Sequence, residues 1–480
     1  MSTQSPLDRP LVIAANRLPV KRGEDGAWSI AAGGLVTAMR PVMDRAGGVW
    51  VGWDGGDEGV PDRVAGLDIE LGSVQLSKDE VASHYHGFSN RTLWPLLHDL
   101  VAKPVIDHDW WEVYKTVNER FADRIASMEL DDDAMIWVHD YHLLLLPQLV
   151  RDRVGDRPIG FFLHTPFPAP ELIARLPWRE QLLDGMLGAD VVGFHTRLYR
   201  DNFVRSVRWL RGSESATGRT IHHQGRDVEA AAQAISIDAN EFSELATAPE
   251  TEAALIDLRN QFGGRKVFLG VDRLDTTKGI RHRLTAIEKL LTDDPELRDQ
   301  FVFIQIAVPS REDVEEVMQL RGEIEQMVGR INGQFTEPGH DVPVHYLYRG
   351  VTRHALAAYY RLADVLCVTP LKDGMNLVAK EFAVIQHAGR EDGVLLLSEF
   401  TGAALTMDGA VTCNPFDVQG LAEAMARCLE LDVDDRRARL AKMAGQIHTH
   451  DVFAWGEGLL ATLIGAAAVD APTEATEATS

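Results

Sequence analysis

The chain has 480 residues and a formal net charge of −24, from 48 Lys and Arg against 72 Asp and Glu. An apolar fraction of 45% can bury a core, which excludes a chain that is mainly disordered. The acidic balance argues against generic binding to nucleic acid or an anionic membrane, so a phosphorylated ligand has to meet a local cluster of Arg and Lys.

In chain order, apolar runs predict strands over residues 11–15, 135–138, 159–164, 191–195, 267–271, 301–307, 344–348, 365–369 and 393–398. Amphipathic runs predict helices over 172–187, 198–210, 279–291, 314–328, 353–362, 377–387 and 421–429. Strand–loop–helix alternation of this kind gives an α/β fold with parallel sheets and right-handed crossovers. A polar break at 212–228 and a helix at 240–262 place a domain boundary near residue 240, with a doubly wound sheet on each side. The expected organisation is 1–240, 241–451, a C-terminal helix over 452–468 returning to the first domain, and a disordered tail from 469 to 480. Ligands of such sheets bind beyond the C-terminal ends of the strands.

Cys367, Cys413 and Cys428 match neither a disulfide framework nor a zinc spacing, and they fit a reducing compartment. The polar N-terminus, MSTQSPLDRP, lacks the apolar region of a signal peptide. The longest apolar stretch, around 143–146, stops at Pro147, far short of a membrane span. The reading is a cytoplasmic protein.

Several motifs sit where strands meet helices. The first strand ends at Arg17, and Gly33-Gly34 opens a helix-like run. The glycines would let backbone N–H groups approach a phosphate, but on their own a simple turn is the better reading, because GxGxxG is absent. In VFLGVDRLDTTKGI, Arg273 and Lys278 flank a strand-to-helix loop, an arrangement suited to a diphosphate. In DVLCVTPLKDGMNLVAKEF, Asp373 precedes Gly374, Asn376 is placed to cap a helix, and Glu381 lies one turn into it. A carboxylate there suits sugar or ribose hydroxyls. His139, Asp140 and His142 lie at one strand end and His164 at another, as structural or as site residues. Their spacing does not suit a metal. Asp131–Asp133 read as a solvated turn. Tyr85 and Trp94 offer flat rings beside polar groups. Arg17, Arg273, Lys278, Arg311 and Arg353 make five cations at strand ends or helix starts, the local positive cluster that an acidic chain needs.

Read together, NRLPV, AGGL, FSNRTLWPL, WVHDYHLLLLP, GFFLHTPFP, GADVVGFHT, VDRLDTTKGI, GRINGQF and TPLKDGMNLVAKEF resemble the trehalose-6-phosphate synthases from about Leu11 to Trp455. The resemblance implies two facing Rossmann-like domains (the GT-B architecture). It also implies glucosyl transfer with retention from a nucleotide-diphosphate glucose, UDP by default with ADP or GDP open, to the 1-hydroxyl of glucose 6-phosphate. It implies that Arg17, Tyr85, Trp94, Asp140 and Arg311 hold glucose 6-phosphate. It implies that Gly33, Gly34, His164, Arg273, Lys278, Val351, Asp373, Gly374, Met375, Asn376, Leu377, Val378, Ala379, Lys380 and Glu381 hold the donor. Asp140, His164, Arg273, Lys278 and Asp373 carry the chemistry, with no metal and no cofactor beyond the nucleotide sugar. A homodimer or homotetramer follows from the same resemblance. AVPSRED departs from the APTSR pattern and weakens the Arg311 assignment, and no haloacid-type phosphatase motif is visible.

Three rivals stand beside this reading. A glucosylglycerol-phosphate synthase would keep the donor half and change the acceptor half, which the Arg and aromatic set opposes. A non-catalytic sugar-phosphate sensor would lose donor-side charges that are present here. A nucleotide-dependent oxidoreductase would carry GxGxxG.

Overall fold

In the computed structural model, apolar strands run in parallel because each is followed by a helix that carries the chain back to the same sheet edge. The structure describes residues 5–23, 27–31, 33–56, 59–61, 64, 66–100, 104–212, 218–310, 315–337 and 341–470. The strands are β1 (Leu11–Arg17), β2 (Val20–Arg22), β3 (Trp28–Ile30), β4 (Gly48–Trp53), β5 (Glu70–Ser73), β6 (Met135–His139), β7 (Ile159–Leu163) and β8 (Val191–Phe194). They continue as β9 (Thr220–His223), β10 (Arg226–Ala232), β11 (Lys266–Arg273), β12 (Phe301–Val308), β13 (Val344–Leu347), β14 (Val365–Val368), β15 (Val394–Ser398) and β16 (Val411–Cys413).

The chain divides into two compact units, one of Met1–Ala234 with Phe453–Ser480 and one of Ile235–Val452. The division falls at 234/235, a few residues before the expected 240. The first unit holds an eight-stranded sheet of order β5-β4-β1-β6-β7-β8-β10-β9, parallel except for β9. The second holds a six-stranded, wholly parallel sheet of order β13-β12-β11-β14-β15-β16. In each, the chain starts in the middle, winds to one edge, returns and winds to the other. The reversal falls between β1 and β6 in the first unit and between β11 and β14 in the second, where a doubly wound sheet binds its ligands.

Strands buried on both faces read as continuous apolar runs, and β6, β7, β8, β14 and β15 are buried along their whole length. From Phe453 onward the helix Val452–Asp470 belongs to the first unit, and it runs two residues past the expected 468. Its Trp455 stacks on Trp137 at 5.0 Å and meets Phe162 edge-on at 5.1 Å. Gly193 of β8 leaves the room for this packing, since a Cβ there would lie 2.5 Å from Phe162 and 3.1 Å from Leu459. The tail beyond Asp470 lies outside the described residues.

Three expectations change. The helix expected over 172–187 is two, Pro170–Ile173 and Arg179–Leu187, because Pro177 cannot continue the intrahelical bonding. The polar break at 212–228 contains the antiparallel hairpin β9–β10, turned through Gln224 and Gly225 at φ 49° and 79°. The helix at 240–262 is likewise two, Ala239–Ala246 and Pro249–Phe262, with Pro249 starting the second.

Candidate active site

In the first unit, Arg17 emerges from the end of β1 as that strand's one exposed residue. Its guanidinium lies 4.3 Å from the Trp53 ring centroid and 5.9 Å from that of Tyr85. Flat aromatic faces attract a guanidinium without neutralising its charge. Tyr85 comes from an unusual element: residues 81–93 wind as a π-helix, whose wider turn occurs in natural chains mostly at working sites. Asn90 locks that turn. Its amide donates to the Tyr85 carbonyl at 2.7 Å and its own oxygen accepts from the Tyr141 hydroxyl at 3.0 Å. The Tyr85 ring stacks on His142 at 5.6 Å, and Trp94 lies 5.6 Å from Tyr141.

Asp140 follows β6 at φ 73° and ψ 170°, a backbone region nearly reserved for glycine. Its N–H donates to the Phe162 carbonyl at 2.9 Å, and its carboxylate accepts from the His164 N–H at 3.3 Å. His139 Nδ1 and His164 Nε2 are 3.0 Å apart, and His195 lies 5.4 Å from His164. Burial holds His139 and His164 well below the usual imidazole range, so both are neutral at pH 7 and one donates to the other. Gly33, extended at φ 161°, caps the helix Gly34–Ala46 without a side-chain bond, and the space where its Cβ would stand is open.

In the second unit, Arg273 ends β11. After it, Asp275 Oδ1 accepts from the Thr277 N–H and hydroxyl at 2.9 and 2.7 Å and shapes the loop to Lys278. Lys278 is 9% exposed, and its Nζ donates to Asp373 Oδ2 at 2.5 Å. Gly279 makes this approach possible: at φ 67°, its Cβ would fall 2.1 Å from the Thr369 carbonyl oxygen. Asp373 also accepts from Asn376 Nδ2 at 3.1 Å. Asn376, at φ 80°, caps the helix Leu377–Ala388 by accepting from the Ala379 N–H at 3.3 Å. Further along, Lys380 Nζ donates to the Ile235 carbonyl at 2.7 Å, and burial depresses its pKa to about 7. Glu381 accepts from the Tyr360 hydroxyl at 2.9 Å, and burial raises its pKa. Among the described residues, no group of three His, Cys, Asp or Glu is arranged to hold a metal ion, and no helix is long and apolar enough to cross a membrane.

Residues 9–464 match the profile of glycosyltransferase family 20. The chain belongs to this family. It is 44% identical over 471 residues to the trehalose-6-phosphate synthase of Mycobacterium avium (strain 104), a match covering 94% of each chain. The crystal structure of an α,α-trehalose-phosphate synthase (UDP-forming) from Burkholderia vietnamiensis superposes with a TM-score of 0.88 at 35% identity, covering 97% of this chain and 99% of that one. That of a UDP-forming synthase from Burkholderia xenovorans in complex with glucose-6-phosphate gives 0.87 at 34% identity, covering 95% and 100%.

Within this family 20 chain, the residues singled out from sequence fall into two groups. Arg17, Tyr85, Trp94, Asp140 and His164 lie on the first unit, with Gly33 and Gly34. Arg273, Lys278, Val351 and the stretch from Asp373 to Glu381 lie on the second. Arg311 lies outside the described residues. Lys278 pairs with Asp373, and the half-exposed Arg353 pairs with Glu241 at 2.6 Å. Trp53, Asn90, Tyr360 and Arg283 were not anticipated. Arg283 is fully buried and donates to Asp272 and Gln305, each at 2.7 Å, and to Thr369 at 2.9 Å. Its Nη2 reaches the Lys278 carbonyl at 3.4 Å.

The strained backbone of Asp140 gives a test that separates function from folding. Glycine there relieves about 1–3 kcal/mol of strain, which offsets the lost hydrogen bond and the added freedom of the unfolded chain. Asp140→Gly is expected to be as stable as the parent to within about 1 kcal/mol by denaturant unfolding, while turnover falls at least about 100-fold. A loss of more than about 2 kcal/mol would show that the carboxylate serves the fold.

Proposed function

We propose that this chain is an α,α-trehalose-6-phosphate synthase. It transfers glucose, with retention, from UDP-glucose to the 1-hydroxyl of glucose 6-phosphate. The observation that carries this reading is the 2.5 Å contact between Lys278 and Asp373. An ammonium suits the donor diphosphate and a carboxylate suits the glucosyl hydroxyls. Side by side, they bracket the anomeric C–O bond that joins those two groups. Family 20 membership supports glycosyl transfer, the UDP-2-fluoro glucose bound by an E. coli relative supports the glucosyl donor, and the glucose-6-phosphate bound by the B. xenovorans relative supports the acceptor.

Arg17, with Trp53 and Tyr85 behind it, binds the acceptor phosphate. Asp140 and Trp94 orient the acceptor sugar, and Arg311 is assigned to the same phosphate. Arg273 and Lys278 neutralise the diphosphate, Asp373 and the turn through Gly374 and Asn376 hold the glucosyl group, and Glu381 holds the ribose. Val351 borders the base. His164 and the Gly33-Gly34 turn complete the donor contacts. The reading takes transfer to proceed on the front face, with the protein positioning both sugars and stabilising the leaving group. As the C–O bond to the diphosphate breaks, a diphosphate oxygen takes the proton of the acceptor 1-hydroxyl, and the acceptor's own 1-oxygen bonds to the anomeric carbon from the side the diphosphate leaves. Arg273 and Lys278 bind the departing diphosphate more strongly than the intact donor, and that difference accelerates the reaction.

The reading calls for no bound metal, for cytoplasmic residence beside its substrates and for a homo-oligomer. The purified protein is to be incubated with glucose 6-phosphate and UDP-, ADP- or GDP-glucose, with EDTA present. UDP release with formation of α,α-trehalose 6-phosphate is expected. A different disaccharide, or hydrolysis of the donor alone, overturns the reading.

A further inference from the structure

Glu381 is a partly buried carboxylate with one protein donor. Among the described residues, the Tyr360 hydroxyl is its one hydrogen-bond donor, on Oε2 at 2.9 Å. An ionised carboxylate offers about four acceptor sites, and a buried one is costly until they are filled. Tyr360 is itself wholly buried and fixed at three points. Its ring meets Phe382 edge-on at 6.2 Å, its carbonyl accepts from Gln386 at 2.6 Å, and its hydroxyl ends at Glu381. Phe382, Gln386 and Glu381 all belong to the helix Leu377–Ala388, whereas Tyr360 belongs to Arg353–Leu362. The hydroxyl therefore has one place to point, and it occupies one carboxylate oxygen while Oε1 keeps its lone pairs. A vicinal diol supplies two O–H donors spaced to satisfy what remains.

We infer that Tyr360 is a positioning residue that sets Glu381 to demand a ribose diol, so that the donor site selects ribonucleotide sugars over their 2′-deoxy counterparts. The inference rests on Glu381 contacting the donor ribose, as proposed above. The physical basis is asymmetric. A site built to accept from a hydroxyl rejects the analogue that lacks it, because the buried acceptor is left unpaired. Without Tyr360's hydroxyl, the carboxylate can rotate or take up a proton, and the diol loses its fixed partner.

Steady-state kinetics with UDP-glucose and 2′-deoxy-UDP-glucose test this. In the parent, the deoxy donor is expected to have the higher KM. Tyr360→Phe is expected to raise KM for UDP-glucose about 5- to 20-fold with kcat within about 3-fold. It should leave KM for the deoxy donor and for glucose 6-phosphate near parental values, so that the preference collapses. Because Phe opens a small gap, 4-fluorophenylalanine at position 360, which fills the space and cannot donate, is a second variant with the same expected result. An unchanged preference in these variants, or an equal loss with both donors, overturns the role of Tyr360. Glu381→Gln isolates the premise. If it leaves the ribose preference intact, the assignment of Glu381 itself fails. If it abolishes the preference while Tyr360→Phe does not, only the inference about Tyr360 fails.

Discussion

Lys278→Ala is expected to lower kcat/KM for UDP-glucose by about 10³-fold or more, while the protein remains folded. Two effects combine. The ammonium is 9% exposed, so its charge acts in a poorly screened site, and removing one such stabiliser of a leaving group costs about 10²–10³ in rate. Its loss also removes the 2.5 Å ion pair that fixes the partly buried Asp373 carboxylate, so the sugar contacts shift with it. The loop itself should persist. Asp275 holds Thr277, Arg283 reaches the carbonyl of residue 278, and the Leu371 N–H donates to the Thr277 carbonyl at 2.7 Å. Because Lys278 and Asp373 act as one unit, Lys278→Ala/Asp373→Asn should be little worse than the worse single variant. The measurements are single-variant and double-variant kinetics with far-UV circular dichroism. A Lys278→Ala enzyme within about tenfold of the parent contradicts the role assigned to the pair.

What could be read from sequence was what lies close along the chain. Asn376 announces its helix cap, and Arg273 and Lys278 announce a cationic loop, because strand, loop and helix follow one another within a dozen residues. Arg283 was illegible for the opposite reason. Its partners Asp272, Gln305 and Thr369 come from β11, from β12 and from just past β14, and only the sheet order makes them neighbours. Trp53 was missed because β4, GVWVGW, carries two glycines in six residues and reads as a loop. Its parallel pairing with β1, which sets Arg17 opposite Trp53, is what makes it a platform for the guanidinium. The π-helix has no sequence signature that propensity could detect, yet it decides where Tyr85 points.

The two units should also respond in different ways to acid, and the sign follows from which groups each one buries. In the first, His84 and His139 are fully buried and His164 is partly so. Burial lowers the His84 pKa to about 3 and holds the other two well below 6.5. Each is neutral when folded and takes a proton when unfolded once the pH drops below about 6.5. The folded pKa is the lower, so stability is complete above 6.5 and is lost as the pH falls toward the folded value, at about 1.4 kcal/mol per pH unit for each group. Between pH 6.5 and 5, that is about 2 kcal/mol each for His84 and His139, with a smaller share from His164, against a domain stability of about 5–15 kcal/mol. In the second unit, burial raises the carboxyls of Glu381 and Asp364, so folding binds protons there and acid stabilises, while the half-buried His282 and His345 pull back. Denaturant unfolding of the full chain at pH 7, 6 and 5, with hydrogen exchange read on β6 and β7 against β11 and β12, separates the two responses. Protection is expected to fall first on β6 and β7. Equal stability at pH 7 and 5, or earlier loss on β11 and β12, shows that these imidazoles are not held neutral by burial.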